Sequence, residues 1–421
     1  MPVEAPPRIS LAARVPADSP QRVEAALSAT ADPLVEAKLR SVVDSIARRG
    51  AVVPGVDAVL LGGSLAWGEA SAWAEPDGTV RVEGDVEAYL VGRSSRLRRE
   101  ARRMSADLSR ETGVEVNVAW LLPRRLAIGA ARNIAFRASD TILAYELATA
   151  SRLLAGIRPE MRRPRPETLP IAEGVRLILN RAVEASVHVT EDALAGRWLD
   201  KLLMAAGDAL LLVDRAYAGG YATRRDSVTR STPAWLAAGW LRPESIAAID
   251  AAFARKLGQR SAPPPGRALV AETVHRALWR TVAADLGLEV DDPAAFPAEF
   301  AKAAPRGHGY LRYEAPLGLS RWVEAVTVAA RGRRAGVTGG WRSWLDVVVG
   351  RPASLAILGA GAPLILAGLG ATGDGPLTPS ESARFRSSSA QALARLGVRP
   401  SGAADQAELG RALVRAWLVV R

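Results

Sequence analysis

Apolar runs and polar–apolar alternation mark the first third of the chain, whereas apolar residues at helical spacing dominate after it. Residues 56–61 form a short, continuous apolar run rich in β-forming residues, which predicts a buried strand. Residues 85–91 and 113–120 alternate between polar and apolar positions, which predicts two more strands, each with one face packed. The sequence therefore predicts a small sheet near the N-terminus, followed by helices.

Helical spacing predicts one or two helices in residues 19–50, and residues 34–47 are the clearest of them because their apolar positions would pack on the sheet. A further helix is predicted over residues 94–112. It would join strands 85–91 and 113–120 in a βαβ-like crossover. The remaining predicted helices lie later in the chain, at residues 140–154, 172–189, 193–217 and 267–286.

Proline and glycine divide these elements. A Pro76-Asp77-Gly78 turn predicts a hairpin between residues 72–74 and 79–83. The proline-rich segments 158–167 and 261–266 predict loops or linkers. These breaks favour four segments: a helical segment that packs on the following domain, a strand-bearing domain, a helical domain and a mainly helical C-terminal region. Their bounds are 1–50, 51–128, 129–260 and 261–421.

The most apolar segment, residues 353–371, is uncharged over 19 residues, which approaches the length that spans a membrane. It consists mostly of small residues, contains Pro363 and lacks flanking aromatic residues. These features favour buried helices and no stable membrane insertion, with membrane contact as the alternative. Residues 305–318 are predicted to form a loop.

Composition limits the classes of protein that this chain can belong to. With 421 residues, of which 49% are hydrophobic, it can fold into two or three globular domains with real cores. The absence of cysteine excludes disulfides, and three scattered histidines make a zinc site a poor prediction. Residues 1–8 lack the apolar core of a signal peptide, so we expect a cytoplasmic protein.

The net charge of +11 is compatible with anionic partners, but almost all of it comes from arginine. Abundant alanine, arginine and glycine indicate a GC-rich coding bias, which weakens the charge as a sign of a polyanionic partner. Residues 94–112 carry six arginines that we interpret as a solvated helix face, with contact between one or two of them and a phosphate or acceptor as the alternative. These are Arg96, Arg98, Arg99, Arg102, Arg103 and Arg110.

The first candidate residues for a binding site follow the predicted strand at residues 56–61. Gly62, Gly63 and Ser64 follow the apolar run, and a small glycine-rich turn can place backbone amides against a phosphate. Asp85 and Glu87 stand two residues apart on a predicted strand and therefore point to the same face. Carboxylate oxygens on one face are suitable ligands for Mg²⁺. The plain alternative is that the two acids form the solvent face of an edge strand.

This pattern resembles the polymerase-beta-like nucleotidyltransferase superfamily, whose signature is an apolar strand, a Gly-Ser pair, a short helix and an acid-hydrophobic-acid triplet on the next strand. The matching residues are Gly63, Ser64, Asp85 and Glu87. The resemblance covers roughly residues 55–125. It implies an α+β fold, in which a small mixed-sheet nucleotidyltransferase-like domain precedes a large α-helical region.

The resemblance also implies a site and a reaction. Asp85, Glu87 and a third acid, assigned to Glu115, would bind two Mg²⁺ ions and carry catalysis, although Asn117 shares the face of Glu115. Gly62, Gly63, Ser64 and Lys201 would bind a nucleoside triphosphate, with ATP as the expected donor. The product would be a nucleoside monophosphate attached to an acceptor hydroxyl, on a small molecule or a protein rather than a nucleic acid.

Helical domains that follow this catalytic module commonly cover the nucleotide. Three residues of the predicted helices are therefore candidates for contacts across the cleft between the two domains: Asn180, Arg181 and Lys201. The polar, aromatic segment 217–225 is predicted to be a loop that reads the acceptor, or a helix C-cap formed by Gly219 and Gly220. The base, the acceptor and the oligomeric state stay open.

Two other classes of function remain. The spacing from Ser64 to Asp85 is long, and Glu87 stands where aspartate is commoner, so a catalytically inactive protein of this fold could bind a nucleotide or a partner. A remote alternative is an α/β-hydrolase-like serine esterase, because Gly62-x-Ser64-x-Ala66 resembles a nucleophile elbow. That chemistry needs a histidine, and the chain offers His188, His275 and His308. The helical pattern of residues 130–290 leaves no strands for a hydrolase sheet.

Overall fold

The computed structural model describes residues 25–126, 141–189, 192–259, 263–304, 353–394, 398 and 405–420. Within them the architecture is α+β, with a small mixed sheet followed by a large helical region, as the sequence predicts. The start of the predicted N-terminal helix at Ser19, the loop predicted over 305–318, and His308 lie outside the described residues.

The N-terminal part of the structure contains the sheet and the helices that cover it. Its elements are α1 (Pro33–Ala51), β1 (Ala58–Leu61), α2 (Gly63–Trp67), β2 (Ala72–Ala74), β3 (Val80–Val82), β4 (Val86–Val91), α3 (Leu97–Thr112), β5 (Val116–Leu121), α4 (Pro123–Leu126), α5 (Ile142–Ala150) and β6 (Arg152–Gly156).

The main sheet has the strand order β5-β4-β1-β6. Strand β4 pairs in parallel with β5, and α3 makes the connection between them, so the predicted βαβ-like crossover is confirmed. Strand β1 pairs antiparallel with both β4 and β6. All four residues of β1 are buried, which explains why that segment is an uninterrupted apolar run. The predicted hairpin is also confirmed, as β2 paired with β3.

The two faces of the sheet have different surroundings. Val59 and Leu61 point to the core shared with α1 and α3, whereas Ala58 and Leu60 point to the opposite face, against Leu147 of α5. Strand alternation carries this division into β4. Asp85, Glu87 and Tyr89 therefore lie on the face opposite α1 and α3, so the arginines of α3 are on the far side of the sheet from the two acids.

Strand β6 corrects the prediction of one helix over residues 140–154. The helix α5 ends at Ala150, and Arg152–Gly156 continues as a strand along the edge of β1. The leucines at 153 and 154 fit helical spacing as well as a strand, because periodicity cannot distinguish the two in a short apolar run. Pairing with β1, 90 residues earlier in the chain, decides in favour of the strand.

The rest of the described chain is mainly helical. Its helices are α6 (Ile171–His188), α7 (Asp192–Val213), α8 (Tyr221–Ala237), α9 (Pro243–Lys256), α10 (Arg267–Leu286), α11 (Phe296–Ala303), α12 (Ala353–Gly359), α13 (Gly361–Leu369), α14 (Pro379–Ala394) and α15 (Gln406–Val420). A short 3-10 turn at Pro166–Thr168 and a small pairing of β7 (Ala371–Thr372) with β8 (Gly375–Pro376) complete it.

One large apolar core joins these helices, and α6 and α7 lie at its centre. Helices α12 and α13 are buried along almost their whole described length, which confirms buried helices for the apolar segment 353–371. No helix in the described part of the chain is long and apolar enough to cross a membrane.

A polar junction connects the sheet to the helical region at the start of α8. The carboxylate of Glu69, just after α2, accepts hydrogen bonds from the backbone N–H groups of Tyr221 and Ala222, the latter at 3.1 Å. Gly219 lies against the ring of Trp67, with no room for a Cβ atom, and Gly220 has φ of 75°. Residues 221–225 therefore belong to α8, and only residues 217–220 of the segment predicted as a loop lie outside a helix. The predicted C-cap is wrong, because Gly219 and Gly220 precede a helix.

Candidate active-site cleft

The glycine turn and the acidic strand are in direct contact. The backbone N–H of Gly62 donates to the carbonyl oxygen of Glu87 at 2.9 Å. Gly63 has φ of +61°, and a Cβ atom there would lie 3.1 Å from the carboxyl carbon of Glu87. Glycine is therefore required at 63 both by its backbone conformation and by the approach of the acid. Ser64 follows it in the first turn of α2 and is half-buried.

The starts of the parallel strands β4 and β5 bring the polar residues together. The register pairs Glu87 with Asn117, and Glu115 precedes β5 with its carbonyl bonded to the N–H of Val86. Glu115 and Asn117 thus share the face of Asp85 and Glu87, and both are exposed. Asn117 is the residue that contacts an acid, because its Nδ2 lies 3.5 Å from Oδ2 of Asp85.

Glu87 is the most strongly perturbed acid of this cleft. Its pKa is raised to about 7, first by burial and then by the negative charges of Asp85 and Glu146, while a hydrogen bond from the Tyr89 hydroxyl at 3.1 Å and the charge of Arg181 lower it. Water still reaches part of the residue, although protein atoms crowd the carboxyl group. The crowding around the carboxyl group sets the pKa, because it decides how much solvent surrounds the charged oxygens.

Replacing Glu87 with glutamine is expected to stabilise the protein at pH 8 but not at pH 5. A carboxyl group with a raised pKa favours folding below its unfolded pKa of 4.5, and this contribution is lost as the pH rises through about 7. Glutamine keeps the acceptor for Tyr89 and removes the charge. The full difference corresponds to about 3 kcal/mol at most. Thermal unfolding from pH 4 to 9 measures it.

The control for this experiment is Glu160→Gln, which removes a carboxylate from an exposed position. Its melting temperature should follow that of the wild type at every pH. Equal melting temperatures for Glu87→Gln and the wild type across the whole range would show that the ionised carboxylate of Glu87 does not destabilise the fold.

Two lysines of the helical region, Lys201 and Lys256, lie near the acids of the sheet. We call the space between these lysines and the acids the cleft. Burial lowers the pKa of Lys201 in α7 to about 8, as do the charges of Arg181 and Arg197. Burial also lowers the pKa of Lys256 in α9 to about 8. The charge of Asp85 opposes this decrease in both lysines, so both ammonium groups are close enough to interact with it.

Lys256 is a site residue that the sequence did not predict. Its Nζ would lie 3.6 Å from a Cβ atom built on Gly84, the residue just before Asp85, and 5.1 Å from the ring centroid of Tyr221. Lys201 is similarly placed over the ring of Trp198, at 4.3 Å. Only four lysines occur in this arginine-rich chain, and two of them line the cleft. The rarity of lysine is the signal that could have indicated Lys256.

The structure also shows where the other predicted cleft residues lie. Arg181 pairs with Glu184 at 2.6 Å, and its positive charge lowers the pKa of Glu87, so it is an electrostatic neighbour of the acids. A side-chain oxygen of Asn180 is buried and has no hydrogen-bond partner within the described chain. Arg181 is therefore placed as the cleft prediction expects, whereas no described contact joins Asn180 to the acids.

A buried ionic network lies behind the cleft and is centred on Arg224 in α8. Its guanidinium group donates to Asp208 at 2.7 Å and lies 3.7 Å from Glu146. It also bonds the carbonyl oxygen of Gly220 and stacks on the ring of Tyr221 at 4.3 Å. Glu146 raises the pKa of Glu87, so the network and the cleft are electrostatically connected.

The donor atoms fit a divalent cation bound by two carboxylates. Asp85 raises the pKa of Glu87 by repulsion, and a cation between these groups would relieve it. Across the described ranges, however, no group of three or more His, Asp or Glu side chains is assembled as a metal site. Asp85 is close enough to raise the pKa of Glu87, and Glu115 shares their face of the sheet, so its part as a third ligand stays a prediction.

The histidines needed for the serine-esterase alternative have other surroundings. His188 stacks on Trp198 with ring centroids 5.0 Å apart, and Nδ1 of His275 accepts a hydrogen bond from the Gly373 N–H at 2.8 Å. The prediction that residues 130–290 leave no strand is wrong, because β6 lies within them as an edge strand of the four-stranded mixed sheet.

Comparison of the chain with protein-family models, with curated proteins and with solved structures finds no match.

Proposed function

We propose that this protein is a nucleotidyltransferase that moves a nucleoside monophosphate from a magnesium-bound triphosphate to an acceptor hydroxyl. The observation that carries the proposal is the two-sided cleft. Asp85 and Glu87 lie on the sheet side, and Lys201 and Lys256 lie on the helical side. A metal–triphosphate complex combines a cation with a polyanion, so it needs both kinds of charge close together.

The local arrangement of the glycine turn supports the same function. Strand β1 leads into Gly62 and Gly63, α2 begins at Gly63, and the neighbouring strand β4 follows Asp85 and includes Glu87. These are the elements on which the resemblance to polymerase-beta-like nucleotidyltransferases rests. Contact between the turn and Glu87 would keep bound phosphates beside the acids.

Each residue has a defined part in the proposed reaction. Asp85 and Glu87 would hold Mg²⁺, with Glu115 as the third ligand that the resemblance implies. When bound, the metal neutralises charge on the phosphate oxygens. Gly63, Ser64, Lys201 and Lys256 would hold the triphosphate.

The acceptor oxygen forms a bond to the α-phosphorus, and the bond from that phosphorus to the bridging oxygen of the β-phosphate breaks. The products are the nucleotidylated acceptor and pyrophosphate. The proton of the acceptor hydroxyl passes to a carboxylate, a role that the resemblance implies for Glu115.

A nucleotide-binding module without catalysis is the second candidate. The observation that favours it is the position of Asn117, an amide beside Asp85 on the face where a third acid is expected. In addition, the described residues contain no group of three carboxylates. Two carboxylates provide fewer metal ligands than the three that the proposed two-metal site would use, so they would hold Mg²⁺ more weakly.

Calorimetric titration with ATP, GTP, CTP and UTP, with and without Mg²⁺, tests the proposal. We expect one triphosphate to bind in a magnesium-dependent manner and the Asp85→Ala/Glu87→Ala variant to lose this binding. The matched control is Asp44→Ala/Glu160→Ala, which removes two carboxylates from exposed positions. Pyrophosphate release in an acceptor screen then separates the enzyme from the binding module.

Absence of triphosphate binding in every condition would refute both candidates. Triphosphate binding that does not depend on Mg²⁺ and yields no pyrophosphate would refute the enzyme and support the nucleotide-binding module.

A further inference from the structure

A dense group of arginines lies on α3 and the turn before it. Six of the eleven residues from 93 to 103 are arginine, against 51 arginines in the 421 residues of the whole chain. The overall arginine-rich composition therefore does not account for this density. All six are exposed: Arg93, Arg96, Arg98, Arg99, Arg102 and Arg103. We call this group the α3 arginine surface.

The helix places the centre of this surface directly away from the core. Residues Leu97, Ala101, Met104 and Leu108 are buried on one side of α3. At about 100° per residue, positions 99, 102 and 103 fall on the opposite side, within roughly one third of the helix circumference. The helical part of the surface, from residue 97 to 103, is about 9 Å long at a rise of about 1.5 Å per residue.

The charges on this surface are unfavourable to the helix that carries them. Arg99 and Arg103 are four residues apart, as are Arg98 and Arg102, and like charges at this spacing repel. The positive end of the helix dipole lies at the same end, where arginine is disfavoured. Across the chain that the structure describes, none of the six guanidinium groups forms an ion pair with a carboxylate. The described residues therefore supply no ion pair that would offset this repulsion.

The chemistry of the surface distinguishes among anionic partners. Guanidinium groups bind phosphate oxygens in a bidentate manner, and a row of them fits a repeating phosphodiester backbone. The exposed side of α3 contributes none of the exposed large hydrophobic side chains of the described residues, so it lacks the apolar face that a membrane-bound helix inserts. Arg98 also lies 5.5 Å from the ring of half-buried Trp120, an aromatic neighbour of the kind found beside bound bases.

We propose that the α3 arginine surface binds the phosphate backbone of a polynucleotide. The surface lies on the face of the sheet opposite Asp85 and Glu87, so this binding is separate from the proposed transfer reaction. It is an electrostatic contact that positions the partner and does not read its bases.

Fluorescence anisotropy with the full chain and a labelled 20-nucleotide single-stranded RNA tests the proposal. The variant Arg99→Gln/Arg102→Gln/Arg103→Gln is expected to bind about 10- to 50-fold more weakly at 150 mM salt. Its plot of log affinity against log salt should be shallower by about 2, because three phosphate contacts are lost at about 0.7 each. Its melting temperature should equal or exceed that of the wild type, since charge repulsion is removed.

The matched control is Arg230→Gln/Arg411→Gln/Arg415→Gln, which removes the same charge from exposed positions on α8 and α15. It should bind RNA within about twofold of the wild type if the effect is local and not one of net charge. Equal losses in both variants would overturn the proposal, as would an undiminished affinity of the α3 variant. Binding to vesicles of anionic phospholipid without binding to the RNA would also overturn it, in favour of a membrane surface.

Discussion

Replacing Asp85 with asparagine is expected to lower nucleotidyl transfer by about a thousandfold. Asparagine keeps the shape of the side chain and its place beside Asn117, but removes the charge that would hold Mg²⁺ against the triphosphate. Loss of a single preorganised electrostatic contact commonly costs about 100- to 1,000-fold in rate, and a metal ligand belongs to the strong end of that range. Initial rates of pyrophosphate release at saturating triphosphate give the measurement.

The same variant has a second readout that does not depend on activity. The charge of Asp85 is one of the causes that raise the pKa of Glu87, so this pKa should fall in Asp85→Asn. The loss of stability with rising pH should then be complete at a lower pH than in the wild type and be smaller in total. Asp44→Asn, at an exposed position on α1, is the control for rate and stability alike.

An Asp85→Asn variant that retains full activity would remove Asp85 from the catalytic group and refute the proposed mechanism. If the rate falls while the pH dependence of stability stays that of the wild type, Asp85 and Glu87 do not interact as the structure indicates.

Replacing Arg224 with methionine is expected to destabilise the fold by about 3–5 kcal/mol, the usual result of removing one partner of a buried ion pair. Asp208 is 4% exposed, and burial already raises its pKa to about 6 against the opposing effect of Arg224. Without the guanidinium group, Asp208 must either stay charged without a partner or take up a proton. Chemical denaturation at pH 7 measures the loss.

Two further variants separate the ion pair from the packing around it. Arg224→Met/Asp208→Leu removes both buried charges and should recover most of the lost stability, because Glu146 is partly exposed and keeps the hydrogen bond from the Tyr217 hydroxyl. Arg411→Met, at an exposed position on α15, should change the free energy of unfolding by less than about 0.5 kcal/mol. If Arg224→Met is as stable as Arg411→Met, the network contributes little to folding.

Local patterns account for what the sequence predicted correctly in the fold. The Pro76-Asp77-Gly78 turn confines the hairpin, and the crossover through α3 follows from two alternating segments separated by a helical one. The apolar spacing of residues 267–286 gives the bounds of α10 without error. In each case neighbours along the chain determine the structure, so a short window contains the information.

Long-range contacts account for what the sequence missed. Strand β6 depends on pairing with β1, and Lys256 enters the cleft only because α9 packs beside α7. The sequence pattern assigns Arg224 to a polar loop, since nothing near it along the chain reveals that Asp208 and Glu146 surround it. Alternation could not choose between Glu115 and Asn117 because residues two apart always share a face.

The pairing of β6 along β1 sets a condition on when the sheet can form. Until Gly156 has left the ribosome, Ala58–Leu61 is hydrogen-bonded on one side only, and its other side is an apolar, open strand edge. Such edges pair readily with other chains. A fragment ending at residue 128 would carry the acids and the glycine turn yet be prone to aggregate, so β6 protects the nascent sheet from self-association.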